Sequence, residues 1–94
     1  GWGTPRDDSA AEPHYRRAAH AGLDWAQHNL GGVLARRGAM AEALRWYRAA
    51  AAQGHAKAIN MVARFTEEGW ATPPDPALAR DLYARAAEGG DFRA

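Results

Sequence analysis

The chain has 94 residues, of which 47% are hydrophobic and 24% are charged, and its formal net charge is +1. This length fits one small domain, and the near-neutral balance lacks the basic excess that marks a nucleic-acid-binding domain. Cysteine is absent, which excludes disulfides, thiolate chemistry and cysteine-ligated zinc. No apolar run approaches the roughly 18 residues of a membrane span, so membrane insertion is not expected.

Helical patterns follow one another along the chain, and β-branched residues are few. The predicted helices cover 8–21, 24–37, 40–53, 55–68 and 76–89, with a further helix starting at Asp91. Gly22, Gly54 and the pair Gly89-Gly90 are expected to end helices, because glycine adopts positive φ easily. Asp75-Pro76 is a typical helix start, since proline is tolerated at the first helical position. The sequence therefore predicts an all-α fold of about five helices.

An internal repeat organises these helices. Residues 1–22 return at 69–90 with eleven identical positions at an offset of 68, and a middle copy ends at Gly54. Repeats of this length are typical of stacked helical arrays that present surfaces to other proteins. We expect one domain over 1–94, cut from a longer protein, with a partial repeat at 1–22, repeats at 23–54 and 55–90, and the start of a further helix at 91–94.

Residue size indicates how the helices pack. Tyr15, Tyr47 and Tyr83 occupy equivalent positions, and each is followed after two residues by a pair of alanines that would let a neighbouring helix approach closely. The methionines, Met40 and Met61, are expected to fill gaps. The remaining predicted core residues are Leu23, Leu30, Val33, Leu34, Leu44, Ile59, Val62, Phe65, Leu78 and Leu82.

The stretch from Ala26 to Ala58 carries a family resemblance. It reads Ala-x3-Leu-Gly-x2-Leu-x3-Gly, then Glu-Ala-Leu-x-Trp-Tyr-x2-Ala-Ala-x-Gln-Gly-His-Ala-x-Ala. This pattern strongly resembles the Sel-one-like repeat of the tetratricopeptide repeat superfamily, although Leu34 and Thr66 stand where the family usually has an aromatic residue. The resemblance implies antiparallel helix pairs stacked into a right-handed α-solenoid, and a role as an adaptor or scaffold in protein complexes, often in bacteria.

The resemblance also implies where a partner would bind, because the first helix of each pair lines the concave groove in such stacks. We expect this groove to bind a peptide or a protein loop, and Asn29 and Asn60 to bond to its main chain. The alternative is that the same residues form the solvated face of a short array. The predicted groove residues are Trp25, His28, Asn29, Gly32, Arg36, Lys57, Asn60, Arg64, Glu67 and Glu68.

Other conspicuous residues are interpreted as structural. Trp2 and Trp70 sit in equivalent turns and are expected to fold onto their own helix pairs, the alternative being a protruding interface anchor. Arg36 and Arg37 precede Gly38 at a helix end, where cations complement the helix dipole, the alternative being a specific anion site. The four histidines lack the spacing of helical metal ligands, so neither a metal nor a cofactor is predicted. His55, directly after Gly54, is expected to be structural.

The leading functional hypothesis is a non-enzymatic protein-interaction module. The single serine, Ser9, has no partner motif, and no phosphate-binding loop stands out. Two alternatives remain open: a regulatory or targeting arm of a catalytic domain elsewhere in a longer chain, and a unit that self-associates end to end. RNA binding by helical repeats is disfavoured by the near-neutral charge. The sequence leaves the partner and the compartment open, a bacterial cytoplasm, periplasm or exterior being equally compatible.

Overall fold

Five helices follow one another in the computed structural model, which describes residues 8–91. Each packs mainly against its neighbours in the chain, so the helices form a sequential stack, and this part of the chain contains no strand. The predicted all-α stack of five helices is confirmed. The helices are α1 (Asp8–His20), α2 (Asp24–Arg37), α3 (Met40–Ala52), α4 (Ala56–Glu68) and α5 (Pro76–Asp91).

The turns between helices have the chemistry that the sequence predicts. Gly38 ends α2 with a φ of 94°, and the amide of the next residue, Ala39, donates to the carbonyl of Leu34 at 2.8 Å. This left-handed conformation reverses the chain within three residues and is open to glycine at little cost. At the start of α5, the side chain of Asp75 accepts a hydrogen bond from the amide of Leu78 at 3.1 Å, which confirms the predicted helix cap.

The end of α5 differs from the prediction. The pair Gly89-Gly90 does not end the helix, which continues to Asp91, and no new helix begins at that residue. Gly89 is not among the glycines with positive φ, whereas Gly22 and Gly54 are. Helical glycine costs only about 1 kcal/mol relative to alanine, so a glycine ends a helix only where the chain also turns. Residues 92–94 of the predicted segment 91–94 lie outside the described residues, as does Trp2.

The core runs along the stack and is built mainly from α2, α3 and α4. Phe65, Leu30 and Leu34 are fully buried, and the small residues Ala19 and Ala50 are buried where neighbouring helices meet. Two predicted core residues are exposed instead: Leu23 by 45% and Leu78 by 46%. Both lie at the beginning of a helix, Leu23 just before α2 and Leu78 in the first turn of α5. Within the described residues, the neighbouring helices leave nearly half of the surface of each residue exposed at these ends.

None of the helices in the described range is long and apolar enough to cross a membrane.

Candidate partner-binding groove

One face of α2 opens onto a surface cavity of about 330 Å³, which we call the groove cavity. Its α2 wall comprises four of the five residues predicted on this helix, because positions three and four apart share a helix face. The other walls come from α1, α3 and α4. The lining residues are Tyr15, His28, Asn29, Gly32, Arg36, Tyr47 and Met61.

Trp25, the fifth predicted residue of α2, lies one turn before His28 and Asn29. It does not line the groove cavity, but its side chain is 48% exposed on the same stripe of the helix. Among the described phenylalanine, tryptophan and tyrosine side chains, Trp25 alone is exposed, and the others are buried or half-buried. It provides apolar surface beside the cavity.

The predicted residues of α4 are all exposed, and none of them lines the groove cavity. The side chain that α4 contributes is Met61, next to the predicted Asn60. Lys57 lines a separate cavity at the start of α4, and Glu68 is exposed at the end of the helix. The structure therefore brings the α2 residues together and leaves Lys57, Asn60, Arg64, Glu67 and Glu68 along the outer margin of α4.

Two of these α4 residues have partners inside the chain. The guanidinium of Arg64 lies 5.8 Å from the ring centroid of Trp70, and the hydroxyl of Tyr83 donates to Glu67 at 2.8 Å. The Trp70 ring also meets Phe65 edge-on at 5.4 Å. Trp70 is therefore folded onto its own helix pair, as the structural interpretation predicted.

Sequence reasoning missed Tyr15, Tyr47 and Met61 as groove residues and assigned them to the core. Tyr47 is buried, with 3% of its surface exposed, yet it lines the inner side of the groove cavity. The sequence contained a clue to the two tyrosines, because both occupy the same position of the repeat. A position that recurs on the second helix of each pair can face the core and still form the floor of a groove.

His28 lies at the centre of a cluster of rings. Its ring meets Tyr47 at 5.5 Å and His55 at 5.1 Å, measured between centroids. Burial, followed by the charges of His55 and Lys57, lowers the pKa of His28, while a hydrogen bond with Asn29 opposes this shift. His28 therefore presents a neutral imidazole to the groove cavity near pH 7.

His55 links the beginnings of α2 and α4. Its Nδ1 lies 3.0 Å from Oδ2 of Asp24, and this hydrogen bond lowers the pKa of the Asp24 carboxyl. Nε2 of His55 is buried without a hydrogen-bond partner. This arrangement supports the predicted structural role of His55. Among residues 8–91, no three histidine or carboxylate side chains are placed to hold a metal ion.

An ion-pair network joins α1 to α2 and α3. Glu12 accepts from Arg37 and, at 2.7 Å, from Arg16, which also pairs with Glu42 at 2.9 Å. The hydrogen bonds from Arg37 and Arg16 lower the pKa of Glu12. Arg37 thus pairs within the chain, while its neighbour Arg36 lines the groove cavity.

The sequential stack of five helices defines a helical repeat protein of the tetratricopeptide-like superfamily. The family model of the Sel1 repeat matches residues 1–23, 26–55 and 56–91, and the chain belongs to the Sel1 repeat family. Sel1 repeats are typically non-catalytic and generally mediate protein interactions.

Two relatives resemble this chain closely. The chitin synthase regulator SKT5 of Malassezia restricta is 38% identical over 85 residues, which are 90% of this chain and 6% of that protein. The crystal structure of a Sel1 repeat protein from Oxalobacter formigenes superposes with a TM-score of 0.81 at 40% identity, covering 97% of this chain and 39% of the other. The chain thus spans well under half the length of either relative. Since one relative is fungal and the other bacterial, the resemblance does not establish the predicted bacterial origin.

Proposed function

We propose that this chain is a protein-interaction module that binds a peptide or a protein loop along α2, in and beside the groove cavity. The observation that carries this proposal is the convergence of His28, Asn29, Gly32 and Arg36 on one cavity. Stacked repeats that bury their apolar faces against one another leave such a surface open for partners.

The groove cavity offers hydrogen bonds suited to a peptide main chain. The Asn29 carboxamide has both donors and an acceptor, so it can pair with a backbone C=O and N–H at once. Gly32 leaves space for a close backbone approach: a Cβ at this position would have Arg36 Nη1 and Tyr47 Oη as its nearest neighbours, each at 3.6 Å. The space beside Gly32 is therefore unoccupied as far as these two polar atoms.

Trp25 supplies the apolar part of the proposed surface. Tryptophan is enriched among the few residues that carry most of the binding energy of protein interfaces. Because its side chain is 48% exposed, binding can bury it without disturbing the core. Lys57, Asn60 and Arg64 on the margin of α4 would form the polar rim, along with Glu67 and Glu68.

Selection from a random peptide library, followed by affinity measurement on the purified chain, tests this proposal. We expect Trp25→Ala and Asn29→Ala each to weaken a selected peptide about tenfold or more, the loss typical of a hot-spot residue. Arg45→Ala is the matched control, because Arg45 is exposed on α3 outside the lining of the groove cavity. Selected peptides that bind both α2 variants and the control equally would contradict the proposal.

A second candidate is a regulatory or targeting arm within a longer protein. It is favoured by the relative in Malassezia restricta, which is named as a regulator of chitin synthase. The same groove would then contact the regulated enzyme. In the intact parent protein, Trp25→Ala should reduce association with that enzyme, whereas Arg45→Ala should not, and equal association of both variants would argue against a regulatory groove.

A further inference from the structure

The first junction between repeats is tied together by a glutamine. At this junction, where the end of α3 meets the turn from α1 to α2, Nε2 of Gln53 donates to the carbonyl of Gly22 at 2.9 Å and to Oε1 of Gln27 at 2.9 Å. Gln27 is buried and donates in turn to the carbonyl of Ala19 at 3.2 Å. The Gln53 side chain is exposed, but its carboxamide bridges the end of α3 to the turn between α1 and α2 and to a buried side chain of α2, and it satisfies a carbonyl at the turn.

Among the side chains that the structure describes, none takes the equivalent place in the second junction. There the end of α5 meets the turn from α3 to α4, and the repeat puts Gly54 at the position of Gly22, Ile59 at that of Gln27 and Gly89 at that of Gln53. A Cβ on Gly89 would meet nothing closer than the Cβ of Ala56 at 3.9 Å. Within the described part of the chain, the space next to Gly89 is therefore open as far as Ala56.

A cavity of about 480 Å³ occupies this second junction, and we call it the α5 socket. It shares no lining residue with the groove cavity. Its walls include Ala51, Gly54, Ile59, Arg85, Glu88 and Gly89.

The chemistry of the α5 socket specifies what it can accept. Ile59 and Ala51 provide apolar surface for a methylene stem, and Gly54 is the turn glycine whose counterpart, Gly22, accepts the Gln53 carboxamide. Arg85 and Glu88 carry opposite charges and so favour neither an anion nor a cation. Moving a neutral amide out of water costs less free energy than moving a charged group out of water.

We propose that the α5 socket binds the glutamine side chain of a partner protein, which takes the place that Gln53 fills at the first junction. This contact is separate from the proposed groove and would anchor a partner at the second repeat junction. If the α5 socket does not bind a glutamine side chain, the proposal that the groove cavity binds a partner is unaffected.

The direct test is titration of the isotope-labelled chain with N-acetylglutamine amide, read by backbone amide chemical shifts. We expect saturable shifts at Gly54, Ile59 and Gly89 with millimolar affinity, as is usual for a ligand of about a dozen heavy atoms. The homoleucine analogue carries a side chain of the same shape without polar atoms and should bind about tenfold more weakly. The lysine analogue should also bind more weakly than N-acetylglutamine amide. Equal or tighter binding of either analogue, or no shifts at these residues, would overturn the assignment.

A pair of variants at Gly89 tests the same idea from within the chain. Gly89→Gln should place the chain's own carboxamide in the α5 socket and abolish the shifts caused by N-acetylglutamine amide. Gly89→Ala gains a similar helix propensity but leaves the socket open, so it should bind the probe as the unchanged chain does. Undiminished binding by a folded Gly89→Gln would overturn the proposal. If that variant does not fold, the comparison of the three probes on the unchanged chain still tests whether the α5 socket prefers glutamine.

Discussion

The ring of Tyr47 lies directly against the backbone of Gly31. A Cβ built on this glycine would come within 2.9 Å of Cε1 and 3.0 Å of Cδ1 and Cζ of the ring. The ring has little room to retreat, because it also meets Phe65 and His28, each at 5.5 Å between centroids. This close approach joins α2 to α3 and sets the depth of the groove cavity, whose floor Tyr47 forms.

Gly31→Ala should therefore destabilise the fold. The added methyl group would force the buried Tyr47 ring to move, and overpacking of this kind costs about 1–3 kcal/mol. We expect a lower free energy of unfolding by urea denaturation, even though alanine is the better helix former by about 1 kcal/mol.

Gly32→Ala is the matched control for this prediction. At that position the new Cβ would lie 3.6 Å from its nearest neighbours, an ordinary contact distance. The helix-propensity gain should then dominate and leave the chain as stable or more stable, by up to about 1 kcal/mol. Equal stability of the two alanine variants would show that the contact between Gly31 and Tyr47 does not limit packing.

Gln53→Ala should weaken the first repeat junction. The substitution removes the amide group that donates hydrogen bonds to Gln27 Oε1 and to the Gly22 carbonyl. Because Gln27 is buried, the unfolding free energy should decrease by about 1–2 kcal/mol. Thermal or urea unfolding measures this loss, with Arg48→Ala, an exposed change on α3, as the control. A loss no larger than that of the control would mean that this carboxamide does not hold the junction.

The lowered pKa of His28 predicts a pH dependence of stability. The unfolded chain binds this proton at a higher pH than the folded chain, so the unfolding free energy should fall as pH decreases below about 6.5. Asn29 partly opposes the shift through its hydrogen bond, whereas His55 and Lys57 reinforce it. His28→Gln should flatten the stability profile between about pH 7 and pH 5.

Substitution of the exposed His14 serves as the control for this profile. His14→Gln removes a histidine from α1 without changing the ring cluster around His28. The prediction requires the His28 variant alone to flatten the decline, so an unchanged slope in His28→Gln would contradict it.

Glu12 should control stability at more acid pH. Its pKa is lowered by Arg37 and Arg16, so its contribution is present at neutral pH and is lost as pH falls through the carboxyl range. Glu12→Gln should remove part of this acid-dependent loss in a pH series of urea unfolding. Asp81→Asn on the exposed face of α5 is the control, and acid profiles that match between the two variants would argue against the network.

The repeat made most of the fold predictable. The turn glycines and the cap at Asp75 placed the helices to within one or two residues, because these signals act locally. The prediction that α5 ends at Gly89 was wrong because glycine can end a helix or lie inside one. Which of the two occurs depends on the path of the following chain. Leu23 and Leu78 misled the prediction of the core because apolar character alone does not show whether a neighbour covers a helix end.

The candidate groove was predictable on α2 but not on α4. On α2, the helical spacing of His28, Asn29 and Gly32 was enough to place them on one face. On α4, the side chain at the cavity is Met61, adjacent to the predicted Asn60, and a change of one residue rotates the face by about 100°. Such a rotation depends on how α4 packs against α3, which a single sequence does not encode locally.

The most direct test of the interaction module is a binding footprint. A library-selected peptide would be titrated into the isotope-labelled chain while backbone amide shifts are followed. If the groove cavity is the binding site, the largest changes should occur around it, at Trp25, His28, Asn29, Gly32 and Met61. Changes confined to the exposed faces of α3 and α5, with the α2 amides unmoved, would contradict this proposal.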